Sequence, residues 1–259
     1  MTPMAVQTVL SVFSGGVVGF VLGLIGGGGS IMALPLLVYV VGVHKTHLAI
    51  GTTALAVAVS AYLNLIPHAR KGNVQWRAAV LFAVPGAVAA AVGSVLGKIT
   101  GGKQLLFLFA LLMIGISLLM LRGRPLGASV RGRFRASRVA AAGAGAGLLS
   151  GFFGIGGGFL IVPGLMLSTG MPMIQAVGTS LFSVGTFGLT TAVSYALSGL
   201  IDWRIALEYI AGGIAGGYFG SLLASRAAAR KNTLNYVFSG VVFAVAVYML
   251  VVNYRQVFG

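Results

Sequence analysis

Cysteine is absent from the 259 residues, which excludes disulfides, thiolate metal sites and cysteine nucleophiles together. Acidic residues are nearly absent: Asp202 and Glu208 are the only two. The histidines, His44, His47 and His68, lie at or near expected loops, with no second group of acids to complete a metal site. A cation transporter, which would want carboxylates inside the membrane, is disfavoured on the same ground. Charge of either sign is scarce, 7% of the chain against about 25% in a typical soluble domain. Catalytic signatures are lacking as well. Gly97-Lys98 is followed by Ile99 and has no glycine at the Walker A spacing before it, and no Gly-x-Ser-x-Gly elbow has a strand–turn–helix setting. The chain therefore reads as a non-enzyme without metal or other cofactor.

What is present is apolar. Hydrophobic residues make up 58% of the sequence, and runs of eighteen or more recur along it, long enough to cross a hydrocarbon core roughly 30 Å thick. A single water-soluble core is excluded. Lys and Arg number 17, for a net charge of +15. In a soluble chain that balance would suggest nucleic acid. Here the basic residues sit in short connections between apolar runs, where they mark cytoplasmic loops and touch anionic lipid, so nucleic acid is rejected as a partner. The first segment has no basic n-region or cleavage site and reads as part of the mature protein.

The apolar runs fall at 5–42, 48–67, 76–97, 104–121, 138–170, 175–197, 203–225 and 234–253. Six arginines between Arg122 and Arg138 place the central linker in the cytoplasm. It separates a first transmembrane repeat, 1–121, from a second, 138–259, with 122–137 as the basic linker. The halves match in order. Gly23 and Gly26–Gly29 with Pro35 lie over Gly151 and Gly154–Gly158 with Pro163. Gly51-Thr52-Thr53 then lies over Gly178-Thr179-Ser180, Gly72 over Gly199, Trp76-Arg77 over Trp203-Arg204, and Gly93-Ser94 over Gly220-Ser221. Such ordered recurrence indicates duplication.

The first run of each half is too long. Residues 5–42 as one helix would measure about 57 Å at 1.5 Å per residue. Helix in a glycine cluster costs roughly 0.8–1 kcal/mol per residue relative to Ala, so a break is expected at Gly26–Gly29 and another at Gly154–Gly158. If each broken run crosses once, the halves share one orientation, with 11 basic residues inside and 6 outside. If each folds back as a hairpin, the halves are inverted. Arg70, Lys71, Arg77, the six linker arginines, Arg226, Arg230 and Lys231 then make 12 inside, leaving 5 outside. The count leaves both open; the excess length of the broken runs leans toward inversion. The fold class is thus an all-helical polytopic protein of about eight transmembrane segments in two repeats, each first helix broken at a glycine turn.

Irregular backbone at membrane depth is tolerated only inside protein or beside a water-filled cavity. A helix resuming after such a break presents unpaired N–H groups and the positive end of its dipole, a ready anion site. Gly27, Gly28, Gly29 and Ser30, with Gly156, Gly157 and Gly158, are the candidates, joined by the hydroxyls of Thr52, Thr53, Thr179 and Ser180. The competing reading of these glycines is close helix packing, and of the hydroxyls, helix–helix hydrogen bonding. Candidates for gating or coupling are Asn64, His68, Arg77, Arg204 and Glu208, the last about one turn into a span. Trp76 and Trp203 read as interface anchors. The expected partners are a small anion and membrane lipid; oligomeric state stays open, a homodimer among the options.

Two glycine turns each followed by a proline, then Gly-Thr-Thr/Ser, then Gly-x-x-x-Trp-Arg, resemble the sulfite-exporter permeases of the TauE/SafE type. The resemblance implies a secondary transporter of about eight spans in the bacterial inner membrane, moving sulfite, a sulfonate or a related organic anion. The chain departs from that pattern with His44 where its second repeat has Pro172, and with a fourth glycine at Gly26–Gly29. A non-transporting membrane scaffold, or a transporter of another solute, is the alternative.

Overall fold

The computed structural model describes residues 3–121, 135–154, 158–227 and 242–252, and every regular element among them is helical. α1 (Pro3–Ile25) stops at the glycine cluster. Gly26 has φ +75°, a conformation that a side chain would strain, and Gly26–Met32 tightens into a 3₁₀ helix. One α turn, α2 (Ala33–Pro35), and one π turn, Leu36–Val40, complete the run. The break expected at Gly26–Gly29 is present, with the chain resuming at Gly26 itself rather than after Ser30. The run also turns back: the Gln7 side-chain amide donates to the Val41 carbonyl, 3.4 Å, so its end lies beside its beginning.

There follow α3 (Thr46–Arg70), α4 (Trp76–Ile99), α5 (Gly102–Leu121), α6 (Ala136–Phe153), α7 (Gly158–Thr169), α8 (Met173–Ala196), α9 (Trp203–Ala227) and α10 (Val242–Val252). Among the described residues, four apolar stretches are long enough to cross a membrane: Met4–Val40, Thr46–Arg70, Trp76–Ile99 and Met173–Ala196. Shorter apolar helices cover Gly102–Gly115, Leu160–Thr169 and Val242–Val252. On α4, Val80, Val84, Val88 and Val92 stand exposed at four-residue spacing while Ala79, Phe82, Gly86 and Ala90 are buried. That is an apolar face turned to lipid and a small-residue face turned inward.

Glycine sets how closely the helices approach. α1 and α9 run side by side in the same direction; a Cβ on Gly15, Gly19 or Gly23 would overlap the backbone of Tyr209, Gly213 or Gly217. α4 and α6 pair likewise, with Gly143, Gly147 and Gly151 against the carbonyls of Phe82, Gly86 and Ala90. This is small-residue packing of the kind that joins helices where no hydrophobic effect does. α3 and α8 run in opposite directions, since Gly51 abuts Tyr195 and Leu200 while Gly178 abuts Asn73. α6 begins beside the first turns of α4, and α8 begins beside Gln75 just before α4. α7 must therefore retrace α6, as 26–40 retraces α1.

Candidate functional site

The two broken runs meet at Gly27 and Gly158, whose backbones are in direct contact; a Cβ on either would overlap the other. The Gly27 N–H, freed from α1 by the turn at Gly26, donates to the Ser180 hydroxyl at 3.2 Å. Ser180 in turn donates to the Val177 carbonyl of its own helix, 2.8 Å. The Gly158 N–H, at the start of α7, donates to the Ser30 hydroxyl at 3.3 Å, and Ser30 donates to the Gly27 carbonyl at 2.9 Å. Gly28 and Gly29 are buried beside them. Gly156 and Gly157 lie outside the described residues. The interrupted backbone of each run is thus held by a hydroxyl: Ser180 from α8 and Ser30 from the other run.

Thr52 and Thr179 have other partners. The Thr52 hydroxyl accepts the Asp202 N–H at 2.9 Å, and the Thr179 hydroxyl accepts the Gln75 N–H at 3.0 Å. Each partner is the residue immediately before a Trp-Arg pair, so each threonine holds the start of a helix in the other half. Thr53 donates to the Ala49 carbonyl of its own helix at 2.8 Å. Asp202 accepts the Ile205 N–H at 3.1 Å and so caps α9.

Of the gating candidates, Arg204 and Glu208 come together. The Arg204 guanidinium donates to Glu208 Oε1 at 3.0 Å and to the Thr8 hydroxyl at 2.7 Å, and Thr8 also contacts Glu208 Oε1 at 2.9 Å. This cluster ties the first turn of α9 to the start of α1, far along the chain from His68. Asn64 and His68 lie on the buried face of α3, where His68 Nε2 meets the Gly23 carbonyl at 3.3 Å. Arg77 opens α4 beside Trp76, which is half exposed and packs edge-on to Phe182 with ring centroids 5.9 Å apart. Among the described residues, no group of three His, Asp or Glu is placed to hold a metal ion. Residue-by-residue reading overlooked Gln75 and Gln175, whose side-chain amides join α8 to the α4 start at 2.6 Å; no local pattern marks that pair.

The family model "Sulfite exporter TauE/SafE" matches residues 11–249. A "Probable membrane transporter protein" of Xylella fastidiosa (strain 9a5c) is 53% identical over 95% of this chain and 97% of its own length. The "Probable membrane transporter protein YunE" of Bacillus subtilis (strain 168) is 29% identical over 83% of this chain and 88% of its own. A similarly described protein of Methanocaldococcus jannaschii is 26% identical over 73% of this chain and 71% of its own length. No solved structure matches the chain.

Proposed function

Because the chain belongs to the TauE/SafE sulfite-exporter family, a family of multi-pass membrane transporters, we propose that it exports a small anion, sulfite or a sulfonate, across the bacterial inner membrane. The observation that carries the proposal is the buried crossing of two interrupted helices at Gly27 and Gly158. Discontinuous helices meeting near the midplane are where secondary transporters place their substrates. In this reading the backbone N–H groups now held by Ser30 and Ser180 turn to the anion when it arrives, with Gly28, Gly29, Gly156 and Gly157 giving close backbone approach.

The reading includes two inverted repeats whose eight apolar runs begin, in each half, with one that folds back. Three observations support it. The paired contacts are reciprocal: α1 with α9 answers α6 with α4, and Thr52 with Asp202 answers Thr179 with Gln75. The positive-φ glycines Gly26, Gly42 and Gly72 recur in order as Gly154, Gly170 and Gly199. The Lys98 ammonium donates to the Ser198 hydroxyl at 3.1 Å, joining two connections that a same-orientation duplication would put on opposite faces. Transport then follows from one half rocking against the other about the crossing. Export of an anion needs no coupling ion, since an interior negative by about 100 mV drives each negative charge outward with about 2.3 kcal/mol.

The test is flux of labelled sulfite in proteoliposomes, with and without an imposed potential. Potential-dependent flux in the wild type, lost in Gly27→Val with insertion and oligomer profile intact, is the expected result. Flux that persists in Gly27→Val would end the role of the crossing. A wild type inert toward sulfite and sulfonates would end the substrate assignment and favour a scaffold role.

A further inference from the structure

Ser60, Asn64 and His68 follow one another at four-residue spacing on α3 and therefore share one face. All three are buried. They face α9 and α1: a Cβ on Gly213 would press on the Ser60 hydroxyl, a Cβ on Gly217 on the Asn64 amide, and His68 reaches the Gly23 carbonyl one turn before the break. Polar side chains inside a membrane helix ordinarily satisfy themselves on the carbonyl four residues back. Thr53, Thr186, Thr190 and Thr191 each do so here. No hydrogen bond joins Ser60 or Asn64 to a described residue, and His68 Nδ1 is buried without a partner.

The matching face of the other half is different. Phe187, Thr191 and Tyr195 stand where Ser60, Asn64 and His68 stand, and each is fully sealed at 0% exposure. The α3 stripe keeps 3, 4 and 3%. Phe187 fills the space at Gly86 and Thr191 is satisfied by the Phe187 carbonyl, although the Tyr195 hydroxyl also lacks a partner. The internal symmetry is broken in favour of a buried polar track on α3, with His68 Nδ1 unpartnered. That track ends one helical turn from Arg70 and Lys71, which draw anions toward it.

The tautomer of His68 narrows what the track accepts. A carbonyl oxygen can only accept, so Nε2 carries the hydrogen that meets Gly23, and in the neutral ring Nδ1 presents a bare lone pair. Asn64 supplies amide donors one turn away, about 6 Å along the helix, the width of one small ion. Resting on the permease reading, we propose that Asn64 and His68 form a substrate subsite that selects oxyanions still carrying an acidic hydrogen: Asn64 donates to an anion oxygen and the substrate hydrogen bonds to His68 Nδ1. Ser60 is the next rung toward the centre of the molecule. The ligand class is the singly protonated small oxyanion, of which hydrogensulfite is the probe.

The experiment compares hydrogensulfite with methanesulfonate, which replaces the acidic hydrogen by a methyl group, as competitors of labelled sulfite flux at one fixed pH. In the wild type, methanesulfonate should compete roughly tenfold more weakly, the effect of one unmade hydrogen bond in a buried site. His68→Phe should erase the difference by weakening hydrogensulfite alone, and His68→Gln, whose carbonyl can accept, should restore part of it. Asn64→Ala should weaken both competitors alike and serves if the histidine variants fail to fold. Equal competition in a wild type that does transport sulfite would overturn the subsite while sparing the permease reading, as would retention of the preference in His68→Phe. A wild type that transports neither anion removes the permease reading and the subsite with it.

Discussion

Thr52 and Thr179 show how one hydroxyl can tie two parts of a chain together. Each accepts an N–H at the residue before a Trp-Arg pair, where a helix start would otherwise leave that donor to solvent or lipid. Thr52→Val removes the acceptor and keeps the shape, so the Asp202 N–H loses its partner. Leaving such a donor unmatched costs about 1–3 kcal/mol when buried, and the lower end applies at this half-buried site. Thermal unfolding in detergent should show Thr52→Val and Thr179→Val losing about 1 kcal/mol each, with Thr→Ser at either position nearly neutral. An unchanged midpoint in both valine variants would mean the contacts contribute nothing. Because these hydroxyls hold helix starts, the valine variants should leave the ranking of transported anions unaltered, which flux competition can check. The repeated Gly-Thr-Thr/Ser pairs were legible in the sequence, but their partners were not. Nothing near Thr52 in the chain points to Asp202, 150 residues away.

Among the elements, glycine position separates contact from mere composition. α6 carries Gly143, Gly145 and Gly147, yet only the first and third meet a neighbour; a Cβ on Gly147 would overlap the Gly86 carbonyl, whereas Gly145 faces open space. Gly147→Ala should therefore force α4 and α6 apart and cost about 1–3 kcal/mol, as overpacking does. Gly145→Ala should be neutral, or stabilising by up to about 1 kcal/mol through helix propensity. Unfolding midpoints of the two variants decide it, and equal midpoints would refute the close α4–α6 approach. The break at Gly26 was legible because four consecutive glycines are a poor helix whatever surrounds them, and the Trp-Arg pairs marked the starts of α4 and α9. The closure of the crossing by Ser30 and Ser180 was not legible. A free N–H at a break will take any acceptor that tertiary structure brings, and the acceptor for Gly27 comes from α8. Asn64 and His68 were legible as candidates on α3, but that α9 and α1 lie against them was not.

For the whole molecule, orientation is the property on which transport depends, and the absence of cysteine makes it directly measurable. Both arrangements of the repeats put Lys45 outside and Lys71 and Arg135 inside, so cysteines at those positions serve as references. They disagree about the connection between α8 and α9. Repeats in one orientation put Ser198 in the cytoplasm; inverted repeats put it outside, beside Lys98, which donates to its hydroxyl. Ser198 is exposed, so a thiol there is reachable by reagent from whichever side it faces. In intact cells, a membrane-impermeant maleimide should label Ser198→Cys as fast as Lys45→Cys, while Lys71→Cys and Arg135→Cys react only after permeabilisation. Labelling of Ser198→Cys only after permeabilisation would refute the inverted arrangement. It would also place the two broken runs in the same sense across the membrane, so that no rocking of one half could exchange the two faces of the Gly27–Gly158 crossing.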